Sequence, residues 1–219
     1  MRVDRAGYPF ILGALVSAVA AAIWNVWIAA VPLAALAAFF TFFFRDPERQ
    51  IPSTHTDDEV LAPADGRVLV AGDVIPAGAP PGSWKQISIF LSPMDVHVNR
   101  VPASGRVTRV TLSAGRFLPA YRHDAGSVNE RSEIWIDHHG QPIVTRQIVG
   151  MLARRVVCRV AVGTEVHAGD RFGIMKFGSR MDVFVPLEAT VTVGVGDMVR
   201  GGETVIAMLH SRGGLATKG

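Results

Sequence analysis

The sequence predicts an all-β globular domain, built on a duplicated motif of the barrel-sandwich-hybrid kind, behind an N-terminal apolar helical hairpin. Three observations predict it: a 37-residue window near the N-terminus with no charged side chain, short Val/Ile-rich runs cut by Gly, Pro and Asp beyond it, and two internal echoes within those runs. The 219 residues are 49% hydrophobic, with a mean hydropathy of +0.28, and the excess sits mainly in the window. What remains has the composition of an ordinary globular domain. Intrinsic disorder, collagen-like repeats and a multi-disulfide scaffold are excluded, the last because Cys158 is the single cysteine.

The window, residues 8–44, holds nine of the 17 aromatic residues. As one straight helix it would run about 55 Å against about 30 Å of hydrocarbon, so it must break. The break is expected at Trp24-Asn25-Val26-Trp27, where two interfacial indoles flank an amide, with Pro32 starting the second helix. Arms of roughly 13 to 18 residues fit either a shallow re-entrant hairpin or a tilted two-helix span. Arg2 and Arg5 before the window and Arg45 and Arg49 after it place both ends, and the domain, on the cytoplasmic face of the cell membrane. A secretory signal peptide is the competing reading, with Ala18-Val19-Ala20 imitating a cleavage site. A second apolar stretch follows immediately, however, and a lone cysteine offers no framework for an exported domain. Cys158 itself, in the run VVCRV, reads as a buried structural thiol. The chain thus divides into a hairpin at 1–50, a β-rich domain at 51–210 and a flexible tail at 211–219.

From Ile51 onward no amphipathic stretch is long enough for a major helix, which leaves strands and turns. PADGRV (63–68) recurs as PASGRV (102–107) with five of six residues identical. VGTEVHAGDRFGIMK (162–176) aligns without gaps on VGDMVRGGETVIAML (195–209), sharing Val, Gly, Val, Gly and Met. Such periods mark duplicated supersecondary units, a statement about fold and not about function.

Three residues supply the types that activate a hydroxyl: Ser179 as nucleophile after Gly178, His97 in SPMDVHVNRVP as base, and Asp65 in the PADG turn as acid. Taken singly, each also reads as a turn or strand residue. The Gly178-Ser179 pair is expected as a turn ahead of a strand at 182–185. At the position equivalent to Asp65, the second copy carries Ser104 while its neighbours are kept.

Four segments give these residues a context: FFRDPERQIP (43–52), APADGRV (62–68), LSPMDVHVNRVPASG (91–105) and GDRFGIMKFGSRMDVFVP (169–186), with NER (129–131) and GMLARRVV (150–157) between them. In these segments and their order the sequence resembles the short, membrane-associated class of phosphatidylserine decarboxylases, over nearly the whole chain. The Phe-Gly-Ser motif with its GDRFG lead-in is the specific part.

The resemblance implies a proenzyme that makes its own cofactor. Ser179 would attack the Gly178 carbonyl, the resulting ester would eliminate to dehydroalanine, and hydrolysis would leave a pyruvoyl group at a new amino terminus. The products would be a β chain of residues 1–178 and an α chain of 179–219. The resemblance places Asp65 and His97 around Ser179. It implies a Schiff base between the pyruvoyl ketone and the amine of phosphatidylserine, loss of carbon dioxide, and phosphatidylethanolamine as product, a step of phospholipid biosynthesis. Longer bacterial relatives carry D-x-H-x-x-H-x-P, and here the second histidine position is Arg100. Either His97 serves both steps or the processing base lies elsewhere. The implied partners are the lipid substrate, an anionic membrane surface that suits a pI near 9.5, and the two chains for each other; a homo-oligomer is compatible with the sequence. Residues 113–121 could flank the acyl region with Arg116 or Arg122 near the phosphate, or form a plain exposed loop.

A rival reading is a membrane-attached biotinyl- or lipoyl-like carrier modified at Lys176, since Met175-Lys176 lies in a carrier-like repeat, although Ile174 and Phe177 depart from the usual flanks. No metal is expected, because no H-x-H, HExxH or CxxC spacing exists and His138-His139-Gly140 reads as a polar turn. Nucleic-acid binding is disfavoured by scattered basic residues, of which Arg154-Arg155 is the one adjacent pair.

Overall fold

The computed structural model describes residues 2–74, 78–151, 156–176 and 178–210. The expected tail at 211–219 and the Arg154-Arg155 pair lie outside them. The hairpin comprises β1 (Arg2–Val3), a 3-10 turn (Arg5–Gly7), α1 (Tyr8–Ile23) and α2 (Trp27–Phe43), and β2 (Arg45–Asp46) closes it by pairing with β1. The domain follows with β3 (Glu59–Leu61), β4 (Gly66–Asp73), β5 (Trp84–Leu91), β6 (Val98–Arg100), β7 (Gly105–Ser113), the short α3 (Ala125–Val128), β8 (Arg131–His138) and β9 (Gln141–Ile148). Its second half carries β10 (Val157–Cys158), β11 (Glu165–Val166), β12 (Arg171–Ile174), β13 (Ser179–Pro186), β14 (Thr190–Val191), β15 (Met198–Val199) and β16 (Val205–Met208).

The helices break where the indoles sit. Asn25 takes φ 57°, a left-handed conformation that Asn tolerates better than most residues, and Trp24 and Trp27 are exposed beside it. At 16 and 17 residues each helix is about 25 Å long. Pro32 does not start the second helix; it lies inside α2, which begins at Trp27. The cost is one missing N–H, tolerable in a helix held along its length by α1. Ala14, Ala18, Ala30 and Ala37 are buried, and these small side chains let the helix backbones approach. Leu12, Leu15, Val16, Val19, Ile23, Ile28 and Val31 face outward, so the hairpin is apolar on both its inner and outer faces.

The domain is mainly β, as the sequence predicts. Eight antiparallel strands run in the order β11-β7-β8-β9-β13-β5-β4-β15, flanked by three-stranded sheets β10-β12-β6 and β14-β16-β3. One face of the large sheet is the core: Ile87, Ile89 and Leu91 of β5, Ile134 and Ile136 of β8, Ile143 of β9, and Met181, Val183 and Val185 of β13 form a single buried cluster. The strand alternation required for this is visible in each run.

The echoes in sequence are also a symmetry in register. In the first copy Gly66 pairs with Val199 and Arg67 with Met198; in the second Gly105 pairs with Val166 and Arg106 with Glu165. The amides of Val68 and Val107 donate to the equivalent carbonyls of Asp197 and Thr164, both at 2.9 Å. Each PA-x-GRV turn is thus docked on one copy of the longer repeat.

Candidate active site

Ser179 opens β13, opposite Leu91 of β5. The strand therefore begins three residues earlier than expected, and Ser179 is a strand residue, not part of a turn. Its side chain shares the core face with Met181 and Val183, which explains its complete burial. Among the described residues its Oγ has no hydrogen-bond partner. Gly178 holds φ 73°, open to glycine and strained for other residues, and among the described residues beyond its chain neighbours no atom lies within 4 Å of where its Cβ would be. The chain thus turns sharply at Gly178 to deliver a buried, unengaged hydroxyl next to its carbonyl.

His97 lies at the same end of the fold. β5 passes Ser179 at Leu91 and leads, through the loop of residues 92–96, directly into His97. That loop is closed by the Asp95 carboxylate, which accepts the Ser92 amide at 2.7 Å, and by the Asp95 carbonyl, which accepts a hydrogen bond from His97 Nδ1 at 2.9 Å. A carbonyl only accepts, so the ring proton is on Nδ1 and Nε2 carries the lone pair. Nε2 is buried without a partner among the described residues. Burial lowers the imidazole pKa to about 4, with Arg45 adding to the effect and Asp95 opposing it. His97 is accordingly neutral near pH 7, with Nε2 free to take a proton.

Further buried polar groups lie on Ser179's face of the sheet. Gln147 of β9 stands opposite Met181 and Thr145 opposite Val183. Gln147 Nε2 donates to Asn99 Oδ1 at 2.8 Å, leaving Asn99 Nδ2, Gln147 Oε1 and Thr145 Oγ1 without partners among the described residues. Each such orphan costs about 1–3 kcal/mol. Together they give the apolar core a polar layer near its Ser179 end that can receive a polar group.

Asp65 is placed differently. Its carboxylate is gripped by Arg49 Nη2 at 2.7 and 2.9 Å and accepts the Gly201 amide at 2.8 Å. Ser104 Oγ accepts the equivalent amide of Ala168 in the other repeat at 3.1 Å, so capping the turn is common to both copies and the carboxylate charge is peculiar to Asp65. No hydrogen bond among the described residues joins Asp65 to His97 or Ser179. Asp65 and His97 share one neighbour: Arg45 lies within the field of Asp65 and acts on His97, and it donates to the Met94 carbonyl at 2.7 Å. Arg100, in the second histidine position, is buried and donates to Asp46 at 3.1 Å, Gly169 O at 2.9 Å and Pro47 O at 3.0 Å, which straps the end of the hairpin to the domain. It offers no base.

Several contributors escape a reading of the sequence. Arg180 and Asp182 form a buried two-point ion pair at 2.8 Å on the opposite face of β13, with Arg180 also donating to the Arg122 carbonyl at 3.0 Å. Their R-x-D spacing was the available signal, since residues two apart share a strand face. Gln147, Asn99 and Arg49 carried no such signal. The loop 113–121 covers this outer face near Arg180, with Phe117 and Tyr121 exposed; the Arg122 guanidinium is turned outward to Asp124.

The other candidates lie apart from the polar layer. Lys176 places its Nζ 4.8 Å from the Phe10 ring, against α1 and not at an exposed hairpin tip. His138-His139-Gly140 is the turn between β8 and β9, where His138 bonds Ser104 O and His139 bonds Asp57 at 2.6 Å; the ligand atoms of Asp57, His138 and His139 lie within 4.8 Å of one another at the far end of β9 from Ser179. Cys158 is half-buried in β10.

A family model described as phosphatidylserine decarboxylase matches residues 36–207. A phosphatidylserine decarboxylase proenzyme of Symbiobacterium thermophilum is 42% identical over 208 residues, covering 94% of this chain and 95% of the relative. The proteins of the same name from Chlorobium phaeobacteroides and Nitrosomonas europaea are 45% identical over 171 residues (78% of this chain, 79% of the relative) and 39% identical over 209 residues (95% of each). With the buried serine, the neutral histidine and the duplicated β scaffold, these likenesses lead to one conclusion: the chain is a decarboxylase and belongs to the phosphatidylserine decarboxylase family.

Proposed function

We propose that the chain is a self-processing proenzyme that decarboxylates phosphatidylserine to phosphatidylethanolamine and carbon dioxide at the cytoplasmic face of the cell membrane, in phospholipid biosynthesis. The observation that carries this reading is the fully buried Ser179 hydroxyl, without a partner among the described residues, directly after a Gly178 held at φ 73°.

Self-processing needs only groups of the chain and one water. Ser179 Oγ adds to the Gly178 carbonyl carbon, the C–N bond breaks, and the hydroxyl proton passes to the Ser179 nitrogen. Removal of the Ser179 α-proton then expels the Gly178 carboxylate and leaves dehydroalanine, whose imine tautomer takes up water and releases ammonia. His97 Nε2 is the base suited to these transfers, and Arg100 is engaged elsewhere. Asp65 contributes negative charge beside Arg49 and Arg45. Residue 179 remains at the start of an inner strand between β5 and β9, so the sheet would hold the two chains together after cleavage.

The new terminal pyruvoyl group would supply the electron sink that decarboxylation requires. On its face of the sheet, Asn99, Gln147 and Thr145 offer polar atoms unpaired among the described residues, burial would exclude water, and His97 would return a proton to the product carbon. The α1–α2 hairpin, with outward apolar side chains and exposed indoles at its tip, suits insertion into a bilayer, and the basic chain suits an anionic surface. Length and composition qualify the helix at residues 5–23 to cross a membrane.

Expression of the wild type and Ser179→Ala tests the reading. The wild type is expected to resolve on denaturing gels into chains of 178 and 41 residues, the shorter with a keto terminus, and to release carbon dioxide from phosphatidylserine vesicles; Ser179→Ala is expected to stay intact and inactive. A wild type that remains a single band overturns it.

A further inference from the structure

Gly150 and Gly178 are both glycines for different physical reasons, and the difference assigns Gly150 a role. Gly178 has a positive φ and open space where its Cβ would be, so its requirement is conformational. Gly150 is not among the positive-φ residues, so its backbone would accept an alanine. A Cβ there would instead lie 1.9 Å from the Gly178 carbonyl oxygen and 3.0 Å from its carbon. The Gly150 Cα is thus pressed against the carbonyl that Ser179 must attack.

Gly150 is itself held in place. β9 pairs with β13 up to Ile148, opposite Arg180, and the next residue, Val149, is fixed on both sides. Its amide donates to Glu130 O at 3.1 Å, and its carbonyl accepts Asn129 Nδ2 at 2.8 Å. Asn129, fully buried, also spans to Leu118 through two further bonds, Nδ2 to the carbonyl at 2.8 Å and Oδ1 from the amide at 3.1 Å. Asn129 and Glu130 therefore hold Val149, and with it the adjoining Gly150, as one support under the scissile bond.

We propose that Gly150, held by Asn129, is the positioning residue for self-processing: it seats the Gly178 carbonyl oxygen and so fixes which face of the carbonyl carbon meets Ser179 Oγ. The proposal rests on the self-processing reading above. Two atoms that must bond are sensitive to their alignment, and misplacement by about 1 Å can slow such a step about a hundredfold.

The test follows conversion of freshly purified proenzyme to its two chains, for the wild type, Gly150→Ala and Gly105→Ala, with thermal unfolding measured on each. Gly105→Ala is the control for local backbone disruption away from the site, since its Cβ would lie 2.3 Å from the Asp137 carbonyl oxygen and its φ of 151° adds strain, in β7, separated from β13 by β8 and β9. The expected result is processing slowed by about a hundredfold in folded Gly150→Ala and by less than about threefold in Gly105→Ala. Processing of Gly150→Ala at the wild-type rate, or equal slowing by both variants, overturns the proposal. Should Gly150→Ala give no soluble protein, Asn129→Ser takes its place, because it releases the Val149 carbonyl without adding an atom near Gly178; unchanged processing in that variant overturns the proposal equally. A wild type that never cleaves would fail the self-processing reading instead, which keeps the two failures distinct.

Discussion

The ring of Phe43, the last residue of α2, lies 4.3 Å from the imidazole of His97, centroid to centroid. The hairpin therefore ends on the candidate base, and Phe43 and Phe44 are buried there with Val96, Val98 and Ile174. Phe43→Ala is expected to destabilise the chain by about 3–5 kcal/mol and to admit water beside His97. The second effect would move the His97 pKa up from about 4 toward its ordinary 6.5. NMR titration of the imidazole checks this; an unmoved pKa would show that Phe43 does not supply the desolvation.

The depressed His97 pKa also makes a prediction for stability. The unfolded chain takes a proton on this residue as pH falls below 6.5, whereas the folded chain resists until about 4. The contribution of neutral His97 is thus complete above about 6.5 and is lost as pH falls toward 4. The melting temperature of the wild type should fall more steeply over that interval than that of His97→Gln. Parallel curves would contradict the assignment.

Arg180 and Asp182 fix the start of β13 from the face opposite Ser179. Arg180→Ala leaves a buried carboxylate without its partner and is expected to cost about 3–5 kcal/mol. Replacing both residues by apolar ones of similar size should cost less than the single change. Chemical denaturation of the two variants would decide it, and equal losses would rule the ion pair out as the cause.

At Asp65 the two copies of the repeat allow a clean separation of fold from charge. Asp65→Ser installs the residue found at Ser104 and keeps an acceptor for the Gly201 amide while removing the carboxylate from Arg49. Stability is expected to drop by less than about 2 kcal/mol. Processing or decarboxylation should drop by at least about tenfold if the Asp65 charge serves the chemistry. Full activity in a folded Asp65→Ser variant would leave Asp65 as a turn residue only.

After processing, the α chain should remain bound. Its first eight residues form β13, hydrogen-bonded on both edges to strands of the β chain. Gel filtration under native conditions is expected to show one species, and separation into two chains only on denaturation.

Much of this protein was determined by local features of its sequence. A charge-free window long enough to fold back, with Trp24 and Trp27 at its middle, settled the hairpin. Strand-length apolar runs and two echoes settled the β class and its internal symmetry, because period and turn chemistry act over a few residues. The motif around Ser179 marked the candidate nucleophile, although its reading as a turn was wrong: pairing with Leu91 extends β13 back to Ser179, and sheet pairing overrides the turn preference of Gly-Ser. Only the tertiary structure decided which groups surround that serine. Gly150 meets Gly178 across 28 positions, Gln147 meets Asn99 across 48, and Gly201 meets Asp65 across 136. Such meetings depend on strand order and register, where a shift of one residue would turn every side chain to the opposite face. The sequence names the candidate residues; the packing of the sheet buries Ser179, keeps His97 neutral and brings Gly150 against the Gly178 carbonyl.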